Sequence, residues 1–159
     1  MGEEDVRYQK PLVFIAGAKK AARALPADVQ DVFGFALMGA QFGDQVPGAR
    51  PFGEGVPRDV LKLVEDDDGE TYRAAFVVAF AGVVYVLDVF QKKSKSGKAT
   101  PNEDLDRVTA RYRVAAHDYA ANKAVYLAAT AAAKAVAVAK AAGTMVRTTP
   151  VKKRGKKKK

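Results

Sequence analysis

Apolar positions change period twice along this chain. The segment Pro11-Leu12-Val13-Phe14-Ile15 is short, rich in β-formers and bounded by Pro and Gly, which predicts a first strand. Ala18 to Leu25 has the spacing of a short helix stopped by Pro26. A second helix follows, with Asp28 at its positive end and Val29, Val32, Phe33, Ala36 and Leu37 on one face, closed by Gly43 and Pro47. From Val60 to Phe90 the pattern becomes extended. Val60-Leu61-Lys62-Leu63-Val64, then an acidic reversal Glu65-Asp66-Asp67-Asp68-Gly69, then Thr71 to Phe80, a turn at Ala81-Gly82, and Val83 to Phe90 predict a three-stranded antiparallel meander. Helical spacing returns at Leu105, Val108, Tyr112 and Ala115, after Pro101-Asn102-Glu103-Asp104. The expected fold class is α+β: a small antiparallel sheet, two N-terminal helices, a C-terminal helix and a basic extension.

Composition narrows this picture. With 159 residues, 48% of them hydrophobic, the chain can bury one core and is short for two. The expected organisation is an N-terminal lead over 1–10, one domain over 11–121, an Ala/Lys-rich helical extension over 122–143 that projects and frays, and a disordered basic tail over 144–159. Cysteine is absent, which excludes disulfides, thiolate metal sites and cysteine nucleophiles. No apolar run approaches the roughly 20 residues of a membrane helix, and the acidic start Met1-Gly2-Glu3-Glu4-Asp5 is unlike a secretory signal. A cytoplasmic protein without a membrane partner is expected.

The net charge of +9 is unevenly placed. Residues 119–159 hold 11 Lys and Arg and no acid, leaving 16 basic against 18 acidic residues in 1–118. The pI therefore describes the tail. Within the body, cations concentrate at Lys92, Lys93, Lys95 and Lys98, directly after the third meander strand; Arg73 lies in the adjacent strand and Lys62 in the one before. Paired in order, these strands bring Lys62, Arg73 and the exit of the Phe90 strand across one sheet. Cleavage of a phosphodiester needs fixed cations where negative charge accumulates, and an Arg fork supplies them without a metal. Taken alone, a lysine-rich loop is more often a solvated loop, and a strand Arg more often a cross-strand partner.

Ordered motifs add a resemblance. Leu25-Pro26-Ala27-Asp28-Val29, Gly34-Phe35-Ala36-Leu37, Gln41-Phe42-Gly43, Pro51-Phe52-Gly53-Glu54-Gly55-Val56 and Val60-Leu61-Lys62-Leu63 are followed by three further pieces. These are Gly69-Glu70-Thr71-Tyr72-Arg73-Ala74-Ala75-Phe76, Val84 to Lys95 with Phe90-Gln91-Lys92-Lys93-Ser94-Lys95, and Ala99-Thr100-Pro101. This stretch, about two thirds of the chain, resembles the phage-derived HigB-like branch of the RelE toxin superfamily of type II toxin–antitoxin systems. The resemblance implies a metal-independent endoribonuclease without cofactor, cleaving mRNA, often on the ribosome, by attack of the ribose 2′-hydroxyl on the adjacent phosphate. It also implies a cognate antitoxin with a helix-turn-helix domain. By the same carry-over Arg73 is the main phosphate clamp. Lys62, Lys92 and Lys93 hold substrate or assist proton transfer, Lys95, Lys98 and Gln91 contact RNA, and Phe90 or Tyr72 stacks on a base. The general base stays open, because a lysine serves only when desolvated or set among other cations. Asp88 stands where many relatives carry histidine, and a carboxylate there needs Arg73 or a lysine as partner.

Other features carry less. His117, the single histidine, reads as a surface side chain. The acidic run lacks the glutamate a calcium loop requires, and Gly53-Glu54-Gly55 reads as a bend. Lys152, Lys153, Arg154 and Lys156 would bind phosphate backbones without reading sequence. That leaves an alternative to the enzyme: a non-catalytic nucleic-acid-binding phage or bacterial protein acting through its tail.

Overall fold

The Asp68-Gly69 pair sets the register of the sheet. In the computed structural model, which describes residues 6–92 and 102–143, both residues have positive φ, 51° and 81°, as in a two-residue turn whose twist suits its flanking strands. The reversal is tighter than the acidic run suggested, since Glu65, Asp66 and Asp67 continue the strand. In chain order the elements are β1 (Leu12–Phe14), α1 (Ala18–Arg23), α2 (Ala27–Gln41), β2 (Arg50–Pro51), β3 (Leu61–Asp67), β4 (Glu70–Val77), β5 (Val84–Gln91) and α3 (Asn102–Ala141). The sheet has the order β1-β5-β4-β3-β2. The β3–β4–β5 meander is antiparallel as expected, and β1 adds to its far edge in parallel, pairing Leu12 with Val84.

The sheet lies between two helical layers, an arrangement that explains why β4 and β5 read as almost unbroken apolar runs. On one face Tyr72, Ala74, Phe76, Val84, Val86 and Val89 pack with Val29, Phe33, Leu37 and Ala40 of α2. On the other, Ala75, Val77, Val83, Tyr85 and Leu87 pack with Val108 and Ala115 of α3. The α2 face predicted from periodicity is offset: Val29, Phe33 and Leu37 are buried, whereas Val32 is exposed and Phe35 is 76% exposed.

α3 runs unbroken for 40 residues, roughly 60 Å at about 1.5 Å per residue. Its sheet-facing seam continues beyond the apolar residues with Tyr119, Tyr126 and Thr130. Tyr119 donates to the Ala81 carbonyl, and Thr130 to that of Gly82 at 2.8 Å. The Asp118 carboxylate accepts from Tyr85, Tyr126 and Asn122. Burial drives the Tyr85 hydroxyl far above the ordinary tyrosine range, aided by its hydrogen bond to Asp118. Burial also opposes the Asp118 charge, but hydrogen bonds from Tyr126, Tyr85 and Asn122 outweigh it and hold this carboxyl below its usual value.

α3 also corrects one expectation. By length and composition it is apolar enough to cross a membrane, with mean hydropathy 1.4 over 18 residues, none of them buried. Counting unbroken apolar runs missed it because the stretch is alanine interrupted by lysine. A central lysine costs roughly 3 kcal/mol on insertion and a Val or Leu returns about 0.5, so Val125, Leu127, Val136 and Val138 do not offset Lys134.

Gly82, in the turn between β4 and β5, lies tight against α3. Its φ is +86°, and a β-carbon there would lie 2.9 Å from Leu127 Cδ2 and 3.4 Å from the Tyr126 carbonyl oxygen. Gly82→Ala is expected to destabilise the protein by about 2–3 kcal/mol through strain and overpacking, measured by urea denaturation.

Candidate nucleic-acid interface

A single irregularity in β5 gives the α3 face of the sheet its polar character. Pairing between β4 and β5 runs Ala75↔Asp88 and then Phe76↔Val86, leaving Leu87 as the extra residue of a bulge. Val83, Tyr85 and Leu87 face α3, and strict alternation would turn Asp88 into the α1/α2 core beside Val84 and Val86. The bulge instead aims Asp88 at α3. There its carboxylate accepts from Arg107 Nε at 2.6 Å and from Arg111 Nη1 at 2.9 Å. Arg111 Nη1 also donates to the Leu87 carbonyl at the bulge. Arg107 Nη2 donates to Asp104, one helical turn earlier, at 2.7 Å, and Asp104 in turn supports the charge on Arg73. The expected partner for Asp88 was Arg73 or a lysine; the structure supplies Arg107 and Arg111 of α3.

The cations predicted from sequence meet on this same face. Lys62 lies opposite Ala75, and Arg73 lies between Val64 and Phe90. Both extend toward the α3 side, where the first turn of α3 brings Asp104. β2 adds a residue the sequence reading missed: Arg50 pairs directly with Lys62. Like charges in register are destabilising, by about 0.2–1 kcal/mol, so local stability does not explain this pairing. Burial lowers the Lys62 pKa, and Arg73, Arg50 and Lys92 lower it further. Burial likewise lowers Arg73, against the attraction of Asp104. Lys92 is tied by its backbone N–H to the Thr71 carbonyl. Two aromatic rings floor the cluster, Phe52 and Phe90 with centroids 6.5 Å apart. Lys62 Nζ sits over Phe52 at 5.9 Å and the Arg107 guanidinium over Phe90 at 5.3 Å, within the range of cation–π attraction.

Other candidates fall elsewhere. Tyr72 is buried among the α1/α2 contacts on the opposite face, because alternation separates it from Arg73. Gln91 is paired with Tyr72 across the strands, and its amide donates to Glu70. His117 is exposed on α3. Lys93, Lys95, Lys98, Lys152, Lys153, Arg154 and Lys156 lie outside the described residues. The sequence contains one clue to the two missed arginines, their four-residue spacing in a helix whose first turn is acidic; Arg50 has none, because a two-residue edge strand leaves no periodicity.

The arrangement can bind a polyanion and can lower the proton affinity of one lysine, the two requirements for cleaving a phosphodiester with side chains alone. Replacing Lys62 with Met should raise the protein's stability at neutral pH by about 0.2–1 kcal/mol, the scale of a relieved like-charge pair. The sign follows from linkage: with its folded pKa below 10.5, Lys62 costs stability while protonated, and the cost fades as pH rises through the lowered value. The gain from Lys62→Met in thermal unfolding should therefore shrink in alkaline buffer.

Comparison with known proteins adds two findings. Residues 20–113 match the family model described as phage derived protein Gp49-like (DUF891), a span that includes Arg50, Lys62, Arg73, Asp88, Arg107 and Arg111. No curated protein matches the chain.

Proposed function

The chain belongs to the phage-derived Gp49-like family, within the RelE/HigB-like toxin clan, and from that premise we propose that it is a HigB-type toxin, a metal-independent endoribonuclease cleaving mRNA on the ribosome. The family implies a cognate antitoxin, and an antitoxin with a helix-turn-helix domain is part of this reading. The observation that carries it is the meeting of Arg50, Lys62 and Arg73 on one face of the sheet, where burial and these neighbouring cations lower the Lys62 pKa.

In the proposed reaction neutral Lys62 takes the proton of a ribose 2′-hydroxyl as its oxygen attacks the adjacent phosphorus. Arg73 clamps the phosphate and stabilises the charge that grows on its oxygens. Bond breaking releases the 5′-oxygen, which takes a proton from a cationic neighbour such as Lys92, leaving a 2′,3′-cyclic phosphate and a 5′-hydroxyl. Lys93, Lys95 and Lys98, next to Lys92 in sequence, extend the phosphate contacts in this reading. Phe90 contributes through the guanidinium stacked on it, while Tyr72 and Gln91, on the opposite face, have no part.

Induced expression in a bacterial culture with mapping of new RNA 5′ ends tests the proposal. The wild-type chain should arrest growth and produce cuts within coding regions. Lys62→Met should slow cleavage by roughly 10²–10⁴-fold, and Arg73→Ala by about 10²–10³-fold, each with native circular dichroism. The cleavage rate should also rise with pH through the lowered pKa of Lys62 and then level off. Absence of both arrest and cleavage in the wild type would sink the toxin reading, and activity lost only on deleting residues 144–159 would assign the function to the tail.

A further inference from the structure

Arg107 is more heavily positioned than its contribution to the fold requires. Its Nε and Nη2 are held by two different carboxylates, Asp88 and Asp104, whose side chains are 5% and 9% exposed, yet the arginine itself remains 35% exposed. Burying two carboxylates to fix one half-exposed cation yields little net stability, because desolvation offsets most of the attraction. Arg111, at 20% exposure, already gives Asp88 a countercharge and satisfies the Leu87 carbonyl. What the second clamp adds is orientation. The guanidinium is laid over the Phe90 ring, and Phe90 neighbours Phe52, over which Lys62 sits. Arg107 thus continues the strip of cations on aromatic rings that begins at the proposed base, its Nη1 makes neither of the two carboxylate contacts, and the side chain stays partly exposed.

We propose that Arg107 is an RNA-contacting residue of this site, binding a backbone phosphate next to the scissile one, and that Asp88 and Asp104 are the positioning residues that aim it. The inference rests on the ribonuclease reading and extends it. It also reconciles a carboxylate at position 88 with a polyanionic substrate: the bulge brings Asp88 onto this face, but the carboxylate is buried against Arg107 and Arg111 and spends its charge on orienting a cation.

The test is binding of a 2′-O-methyl oligoribonucleotide, which cannot be cleaved, to the full chain by fluorescence anisotropy over a range of salt. Arg107→Ala should weaken binding about 10- to 100-fold, as expected for a lost charge-assisted hydrogen bond, and should reduce the slope of log Kd against log salt by about 0.7, one single-strand phosphate contact. Asp88→Asn separates positioning from bulk electrostatics. Removing a negative charge beside a polyanion tightens binding if charge alone matters; if Asp88 aims Arg107, binding weakens despite the more positive protein. Should Asp88→Asn fail to fold, Arg107→Ala at the half-exposed arginine still decides the question. Wild-type binding and cleavage with an unchanged salt slope in Arg107→Ala would overturn this inference alone. A wild type that neither binds nor cleaves would overturn it together with the ribonuclease reading.

Discussion

One extra residue in β5 determines what the α3 face of the sheet can be. Tyr85 and Leu87 point toward α3 and Val84 and Val86 away from it, so an uninterrupted strand would drive the Asp88 carboxylate into an apolar layer at a cost of several kcal/mol. The bulge opposite Ala75 removes that conflict by turning two successive side chains to the same side. Arg111 bonds both the Asp88 carboxylate and the Leu87 carbonyl at the bulge. Register, helix docking and site electrostatics are therefore one constraint. α3 cannot slide along the sheet by a turn without unpairing Asp88, and Asp88 cannot be paired without the bulge.

The rest of α3 is fixed by the same kind of interaction at longer range. Along its seam the contacts pass from aliphatic, at Leu105 and Val108, to hydroxyl-bearing, at Tyr112, Tyr119, Tyr126 and Thr130, each of which places a polar tip on the opposing backbone or on a carboxylate. Tyrosine suits this, because one side chain supplies both buried area and a donor. The aromatic group of Phe80, Tyr85, Tyr112, Tyr119 and Tyr126 is the result.

Legibility from sequence followed the strength of the periodic signal. The meander was readable because Asp68-Gly69 announces its turn and β-branched residues fill its strands, and the Lys62 and Arg73 juxtaposition followed from pairing those strands in order. β2 was not readable: Arg50–Pro51 is two residues long, and only its pairing with Lys62 makes it a strand. The bulge was invisible because Val83 to Phe90 is apolar on both faces apart from Asp88, leaving no alternation whose interruption could be noticed. Arg107 and Arg111 were passed over for the related reason that a helix in an otherwise polar stretch does not say which of its charges face the sheet. The seam beyond residue 122 escaped because tyrosine and threonine score poorly as core formers, although here they are the anchors.

The distribution of charge, more than its total, governs what this molecule can bind. The body as far as residue 118 carries a slight acidic excess, which by itself would repel nucleic acid. Many of its acids lie away from the cations, Asp66, Asp67, Asp68 and Glu70 at the β3–β4 turn and Asp28 and Asp31 on the outer surface of α2, while Glu103 and Asp106 flank the cations at the start of α3. On the α3 face, Arg50, Lys62, Arg73, Lys92, Arg107 and Arg111 surround two carboxylates that are themselves buried and bonded to arginines. A phosphate approaching that face meets a field set by these fixed neighbours, with nearby low-dielectric protein strengthening it, while the acids on the far side are attenuated by distance and salt. Burial depresses the proton affinity of Lys62, and the same crowding that makes the face attractive to a polyanion depresses it further. Affinity for a polyanion and the lowered proton affinity of Lys62 are therefore linked, since a change that dilutes the cations weakens both.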